Sequence, residues 1–119
     1  TEAYEKVETI LQSNPDIKGI VCGNDTMAVG AAAAIKAAGL KDICIIGVDG
    51  SDEAAAEIKS GYMTGTALQQ CALIAEMAVE QADKYLKEGT TGLEEKQLVD
   101  CVAITSENVD KLSAFVYSE

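Results

Sequence analysis

Three polar side chains stand at comparable places in the chain, each at the end of a short, mostly apolar run. Asn24 follows Ile20-Val21-Cys22, Asp49 follows Ile45-Ile46-Gly47-Val48, and Gln69 follows Thr66-Ala67-Leu68. An amide both donates and accepts, and an ionised carboxylate accepts from two neighbouring hydroxyls, so this trio suits a neutral polyol such as a sugar. Each residue also has a plainer reading. Asn and Asp are favoured helix caps and turn residues, so on local grounds Asn24, Asp25, Asp49 and Ser51 serve the backbone alone, Asp25 above all. Gly50 can simply make a turn, and Gln69-Gln70 can be the solvated entrance of a helix. The recurrence of a polar side chain at three equivalent places favours a ligand-binding role for Asn24, Asp49 and Gln69.

Other chemistry is poorly equipped. The 119 residues include no histidine, which removes the commonest general base, the commonest zinc ligand and every Ser-His or Cys-His pair. Cys22, Cys44, Cys71 and Cys101 are far apart and form no Cys-x-x-Cys pair, so metal-ligand spacing is not met, and buried free thiols are expected in preference to disulfides. No glycine-rich phosphate cradle occurs. The carboxylate pairs Asp16 with Asp25 and Asp49 with Asp52 carry no mark of burial beside a partner, so no enzyme activity, cofactor or metal is expected. Nine lysines, with no arginine, face 20 acidic residues for a net charge of −11, which argues against nucleic acid as a partner. The acidic residues Glu76, Glu80, Asp83 and Glu94-Glu95 read as solvated faces.

The elements that must hold the trio follow from periodicity. Ala3, Tyr4, Val7, Ile10 and Leu11 recur at helical spacing and stop at Asn14-Pro15, which predicts a first helix over Glu2 to Ser13. Ile17 to Cys22 predicts a strand, followed by a tight turn and an alanine-rich helix ending at Gly39. The same order returns with a strand over Ile43 to Val48, a turn at Asp49-Gly50-Ser51-Asp52, and a helix over Ala54 to Ser60. It returns a third time with a strand over Met63 to Leu68 and a long helix carrying Leu73, Ile74, Met77, Ala78, Ala82, Tyr85 and Leu86 on one face, capped by Gly89. Leu98 to Ile104 predicts a last strand. Thr105-Ser106 then offers a hydroxyl cap to a short amphipathic helix over Glu107 to Leu112.

Strands that are apolar nearly throughout and alternate with helices imply an α/β class, a three-layer Rossmann-like lobe whose mainly parallel sheet is flanked by helices. In such sheets ligands bind outside the carboxyl ends of the strands, where Asn24, Asp49 and Gln69 stand. The longest apolar stretches are much shorter than the roughly 20 residues that cross a bilayer. The chain begins at Thr1, and no charged segment followed by an apolar one marks a signal peptide.

The motifs resemble a known family. Gly23-Asn24-Asp25-Thr26-Met27-Ala28-Val29-Gly30 resembles the N-D-x-M-A-x-G segment of periplasmic sugar-binding proteins of the ribose-binding type, the substrate receptors of ABC transporters. Gly47-Val48-Asp49-Gly50 resembles their G-x-D-G turn. Asn14-Pro15-Asp16 is similar to the stretch that precedes the first motif, and Val102 to Val109 is similar to the family's ending. The resemblance implies two α/β lobes joined by three crossings, with a monosaccharide or polyol enclosed between them. It implies that Asn24, Asp49 and Gln69 contact sugar hydroxyls. Cys71 stands where the family commonly has proline two residues after the glutamine, which leaves Gln70 as the alternative to Gln69.

The family's members are more than twice this length, so the chain is expected to be a C-terminal portion. Residues 1–69 would belong to one lobe, residues 70–103 would pack in the other, and residues 104–119 would form the terminal crossing and a short helix. The apolar face of the long helix would then repack on the chain's own sheet or on a second copy, giving a homodimer. Implied partners are the sugar and, through the full-length protein, a membrane permease. Implied location is the periplasm or the cell exterior, free or as a membrane-anchored lipoprotein. None of Tyr4, Tyr62, Tyr85, Phe115 and Tyr117 falls at a strand end, so the rings that stack on sugars would come from elsewhere. The effector domain of a lactose-repressor-type regulator shares these motifs and is the alternative, although such domains more often end in an arginine-containing strand.

Overall fold

The computed structural model describes residues 2–118. Helix α1 spans Glu2–Ser13, strand β1 Gly19–Val21, α2 Asp25–Ala37, β2 Cys44–Asp49, α3 Asp52–Lys59, β3 Gly65–Leu68, α4 Cys71–Glu88 and β4 Val102–Thr105. A 3-10 turn over Val109–Lys111 leads into a small hairpin of β5 (Leu112–Ser113) and β6 (Val116–Tyr117). The main sheet has the order β1-β2-β3-β4, with the first three strands parallel and β4 antiparallel to β3. The α/β class with flanking helices therefore holds.

Residue size explains the helix packing. Ala28, Ala31, Ala32 and Ala34 of α2 are wholly buried, and these small side chains let the helix lie close against β2. Helix α1 crosses α2 where a side chain at Gly30 would come within 3.2 Å of Ala3 Cβ, so glycine permits the approach. Helix α3 packs beside α2, and Lys36 bridges the two by an ion pair with Glu57 at 2.6 Å while lying 4.5 Å from the Tyr62 ring. Ile35, Ile45, Leu68 and Ile104 complete this core, each worth about 1.5–3 kcal/mol of burial.

Alternation along the strands assigns the faces. Ile20, Ile45, Gly47, Thr66, Leu68 and Ile104 share the face that packs on α2 and α3. The opposite face carries Val21, which is 84% exposed, with Cys44 and Ala103 exposed and Ile46 and Val48 half-buried. The strands are thus apolar on both sides while only one side is covered among the described residues.

Several expectations need correction. The predicted strand over Leu98 to Ile104 is confined to Val102–Thr105, because β3 ends at Leu68, paired with Val102, and offers no backbone to residues before it. The helix predicted over Glu107 to Leu112 is only the 3-10 turn, and Thr105 Oγ1 accepts from Glu107 N at 3.3 Å instead of capping an α-helix. Cys44, Cys71 and Cys101 are exposed and Cys22 half-buried, so burial fails for three of the four thiols. Helix α4 does not repack on the sheet. None of its residues is buried, and only Met77 and Gln81 are half-covered, beside the return segment at Gln97, Leu98 and Val99. The described chain is accordingly elongated, 59 × 27 × 20 Å.

Candidate functional site

The carboxyl ends of β1, β2 and β3 point the same way because the three strands are parallel, and each leads into a helix. Asn24 lies between β1 and α2 in extended conformation. Its Oδ1 accepts from Met27 N at 2.9 Å, so the capping role is real, and its amide Nδ2 has no protein partner among the described residues. Capping uses the acceptor and leaves the donor.

Asp49 ends β2 with φ of 121° and is half-buried. A side chain other than glycine in that region costs about 1–3 kcal/mol, and such strain collects where function holds a residue in place. Gly50 follows at φ of 83° and lies against Leu68, where a side chain would overlap it. The Asp49 carboxylate accepts from Gln69 Nε2 at 2.7 Å through Oδ1, and the Gln69 backbone N–H donates to the Asp49 carbonyl at 3.3 Å. Gln69 is exposed and keeps its Oε1 as an acceptor. Gln70 turns the other way and donates to the Asp100 carbonyl at 2.7 Å, tying the entrance of α4 to the segment that leads into β4. The structure thus brings Asp49 and Gln69 together and gives Gln70 a backbone task. Asn24 stands on the neighbouring strand end and makes no hydrogen bond to either.

Asp25 is the residue whose surroundings the sequence understated. It is 1% exposed, and its carboxylate accepts from Gly50 N at 2.9 Å, Ser51 N at 2.7 Å and Thr66 Oγ1 at 2.6 Å. The only local hint is Gly47, a glycine inside a strand, which marks a place where something approaches closely. What approaches is the Asp25 carboxylate, which a side chain at Gly47 would overlap. Ser51 caps α3 by accepting from Ala54 N at 3.1 Å.

The electrostatics favour a neutral ligand. Asp25 and Asp49 lie at this end of the sheet, and among the described residues Lys6, Lys36, Lys59 and Lys87 are each paired with an acidic side chain. An anion would be repelled by these carboxylates. No group of three His, Cys, Asp or Glu side chains is arranged to hold a metal among the described residues. The free NH2 of Asn24 supplies donors, and the second oxygen of Asp49 and the carbonyl of Gln69 supply acceptors, a set that matches hydroxyl groups.

Residues 1–91 match the family described as Periplasmic binding protein domain. A D-apiose import binding protein of Paraburkholderia graminis is 54% identical over 115 residues, which is 97% of this chain and 37% of that protein. Another of the same description from Actinobacillus succinogenes is 52% identical over 120 residues, covering 100% of this chain and 39% of that protein. A crystal structure of an ABC transporter periplasmic solute-binding protein from Actinobacillus succinogenes with bound D-allose superimposes with a TM-score of 0.84 at 32% identity, covering 91% of this chain and 37% of that one. The chain therefore spans less than two-fifths of the length of these relatives.

Proposed function

This chain belongs to the periplasmic binding protein domain family, and on that premise we propose that it forms one wall of the sugar site in the substrate receptor of an ABC importer. The observation that carries the reading is the Asp49–Gln69 pair. A carboxylate held in a strained backbone conformation has one oxygen engaged by an amide and the other left for a hydroxyl. Asn24 supports it with a donor from the adjacent strand end. The ligand is a neutral monosaccharide or polyol, and D-apiose is the first to test because both import binding proteins compared above carry that description. Those import proteins also favour a receptor over the effector domain of a regulator.

The receptor would act in the periplasm and deliver its sugar to a membrane permease. Residues 1–69 would form the binding lobe and the segment from Gln70 would pack in a second lobe until β4 brings the chain back, because Val102 and Ala103, expected there too, pair with β3 of the first sheet. The unburied α4, with Leu73, Ile74, Tyr85 and Leu86 exposed, supports that division. One wall alone neither desolvates nor encloses a ligand, so this chain by itself should bind sugar with a Kd on the order of millimolar or weaker.

The test is a thermal-shift panel of monosaccharides and polyols, D-apiose included, on the full-length protein and on its Asp49→Ala and Gln69→Ala variants. A ligand that binds only the folded state raises the melting temperature. A sugar that stabilises the parent, stabilises Gln69→Ala less and leaves Asp49→Ala unshifted supports the reading. Equal shifts in all three proteins would remove Asp49 and Gln69 from the site.

A further inference from the structure

The three candidate contact residues sit at three separate strand ends, and the side chain that follows the first of them is hydrogen-bonded to the loop after the second and to the strand that carries the third. Asp25 opens α2 directly after Asn24, accepts from the two amides that follow Asp49, and accepts from the Thr66 hydroxyl three residues before Gln69. We propose that Asp25 is the positioning residue of this site, holding the 49–51 loop so that Asp49 presents its unengaged oxygen to the ligand. The inference rests on the reading that Asp49 contacts the sugar.

The geometry leaves Asp25 no direct part. It is 1% exposed, and its three hydrogen bonds use both carboxylate oxygens. Its influence must pass through what it holds. The Gly50 and Ser51 amides are the donors adjacent to Asp49, and both Asp49 and Gly50 have positive φ. Without an acceptor beneath them, these amides would be buried or half-buried donors lacking a partner, and the loop would relax to recover hydrogen bonds with water. Relaxation there moves Asp49 off the Gln69 amide, while β1, α2 and the apolar core remain as they are. Asn would keep the shape but lose the charge: its amide oxygen can accept from the Gly50 and Ser51 amides while its NH2 donates to the Thr66 hydroxyl, so Asp25→Asn weakens these bonds rather than deleting them.

The proposal is tested in the full-length protein with Asp25→Asn, Asp49→Asn and the double variant, by calorimetry with D-apiose. Asp49→Asn keeps Oδ1 for Gln69 and so weakens the site without emptying it. Asp25→Asn should weaken binding about tenfold, the size of the charge assistance lost from one such hydrogen bond, and less than about twofold when Asp49 is already Asn. Equal losses in both backgrounds would show that Asp25 acts on the fold at large and overturn the proposal. Unchanged affinity in Asp49→Asn and Asp49→Ala would instead overturn the reading that Asp49 binds sugar.

A ligand-free arm covers weak binders and poorly folding variants. Thr66→Val removes one donor to Asp25 with little change of shape, and Thr66→Ser restores it. Hydrogen exchange should speed up at Gly50 and Ser51 in Asp25→Asn and to a lesser degree in Thr66→Val, return towards the parent rate in Thr66→Ser, and stay slow at Ala32 to Ile35 of α2. Unchanged exchange at Gly50 and Ser51, or equal acceleration throughout α2, would overturn the positioning role.

Discussion

Gly47→Ala places a single methyl group where the packing of the site is tightest. Its Cβ would overlap Asp25 Oδ1 and lie 3.2 Å from both Ala28 Cβ and Met63 Cε. Methionine can swing aside, but Ala28 belongs to a helix pinned against the sheet, so the carboxylate must retreat. Retreat gives up the bond from Thr66 Oγ1, which as a hydrogen bond to a charged group is worth about 1.5–3 kcal/mol. Crowding in a closed core adds about 1–3 kcal/mol. The stiffer unfolded chain returns about 0.4–1 kcal/mol. The net expectation is a destabilisation of about 2–5 kcal/mol, read from urea unfolding followed by circular dichroism. Gly19→Ala is the control in the same sheet. A Cβ there meets only Cys44 O at 3.5 Å and Cys44 Cβ at 3.7 Å, and its stability should stay within about 0.5 kcal/mol of the parent. If Gly47→Ala and Gly19→Ala unfold at the same urea concentration, the close approach of Asp25 to β2 is refuted, and with it the account of how the 49–51 loop is held.

Two further outcomes follow from exposure. Burial pushes the Cys22 thiol above its ordinary value, so at any pH below that range it holds less thiolate than an exposed cysteine. Labelling with a disulfide reagent at pH 8 should therefore modify Cys44, Cys71 and Cys101 quickly and Cys22 slowly, with the Cys22 rate rising only at higher pH, and four equal rates would contradict this. The isolated 119-residue chain leaves Leu73, Ile74, Val79, Tyr85 and Leu86 of α4 exposed beside an uncovered sheet face, so light scattering should find self-association. Salt should promote it by screening the net charge of −11, and a monomer that binds no hydrophobic dye at any salt concentration would refute it.

What the sequence by itself determined is local. The 3.6-residue spacing of Tyr4, Val7 and Leu11, the stop at Asn14-Pro15, the alanines of α2 and the glycine after α4 are short-range signals, and the helices fall where these place them. The repeated order of apolar run, polar residue and helix put Asn24, Asp49 and Gln69 at strand ends before any contact was known. The tertiary structure decided whatever depends on partners distant in the chain. Whether residues 98–101 become a strand depended on β3 continuing beside them, and it does not. Gln69 and Gln70 are chemically identical neighbours, and only the turn of the backbone at the end of β3 sends one to Asp49 and the other to Asp100. Asp25 looked like a turn residue because its local surroundings are those of a helix start. Its three donors come from 25, 26 and 41 positions away, and no periodicity along one segment can register a hydrogen bond made across three.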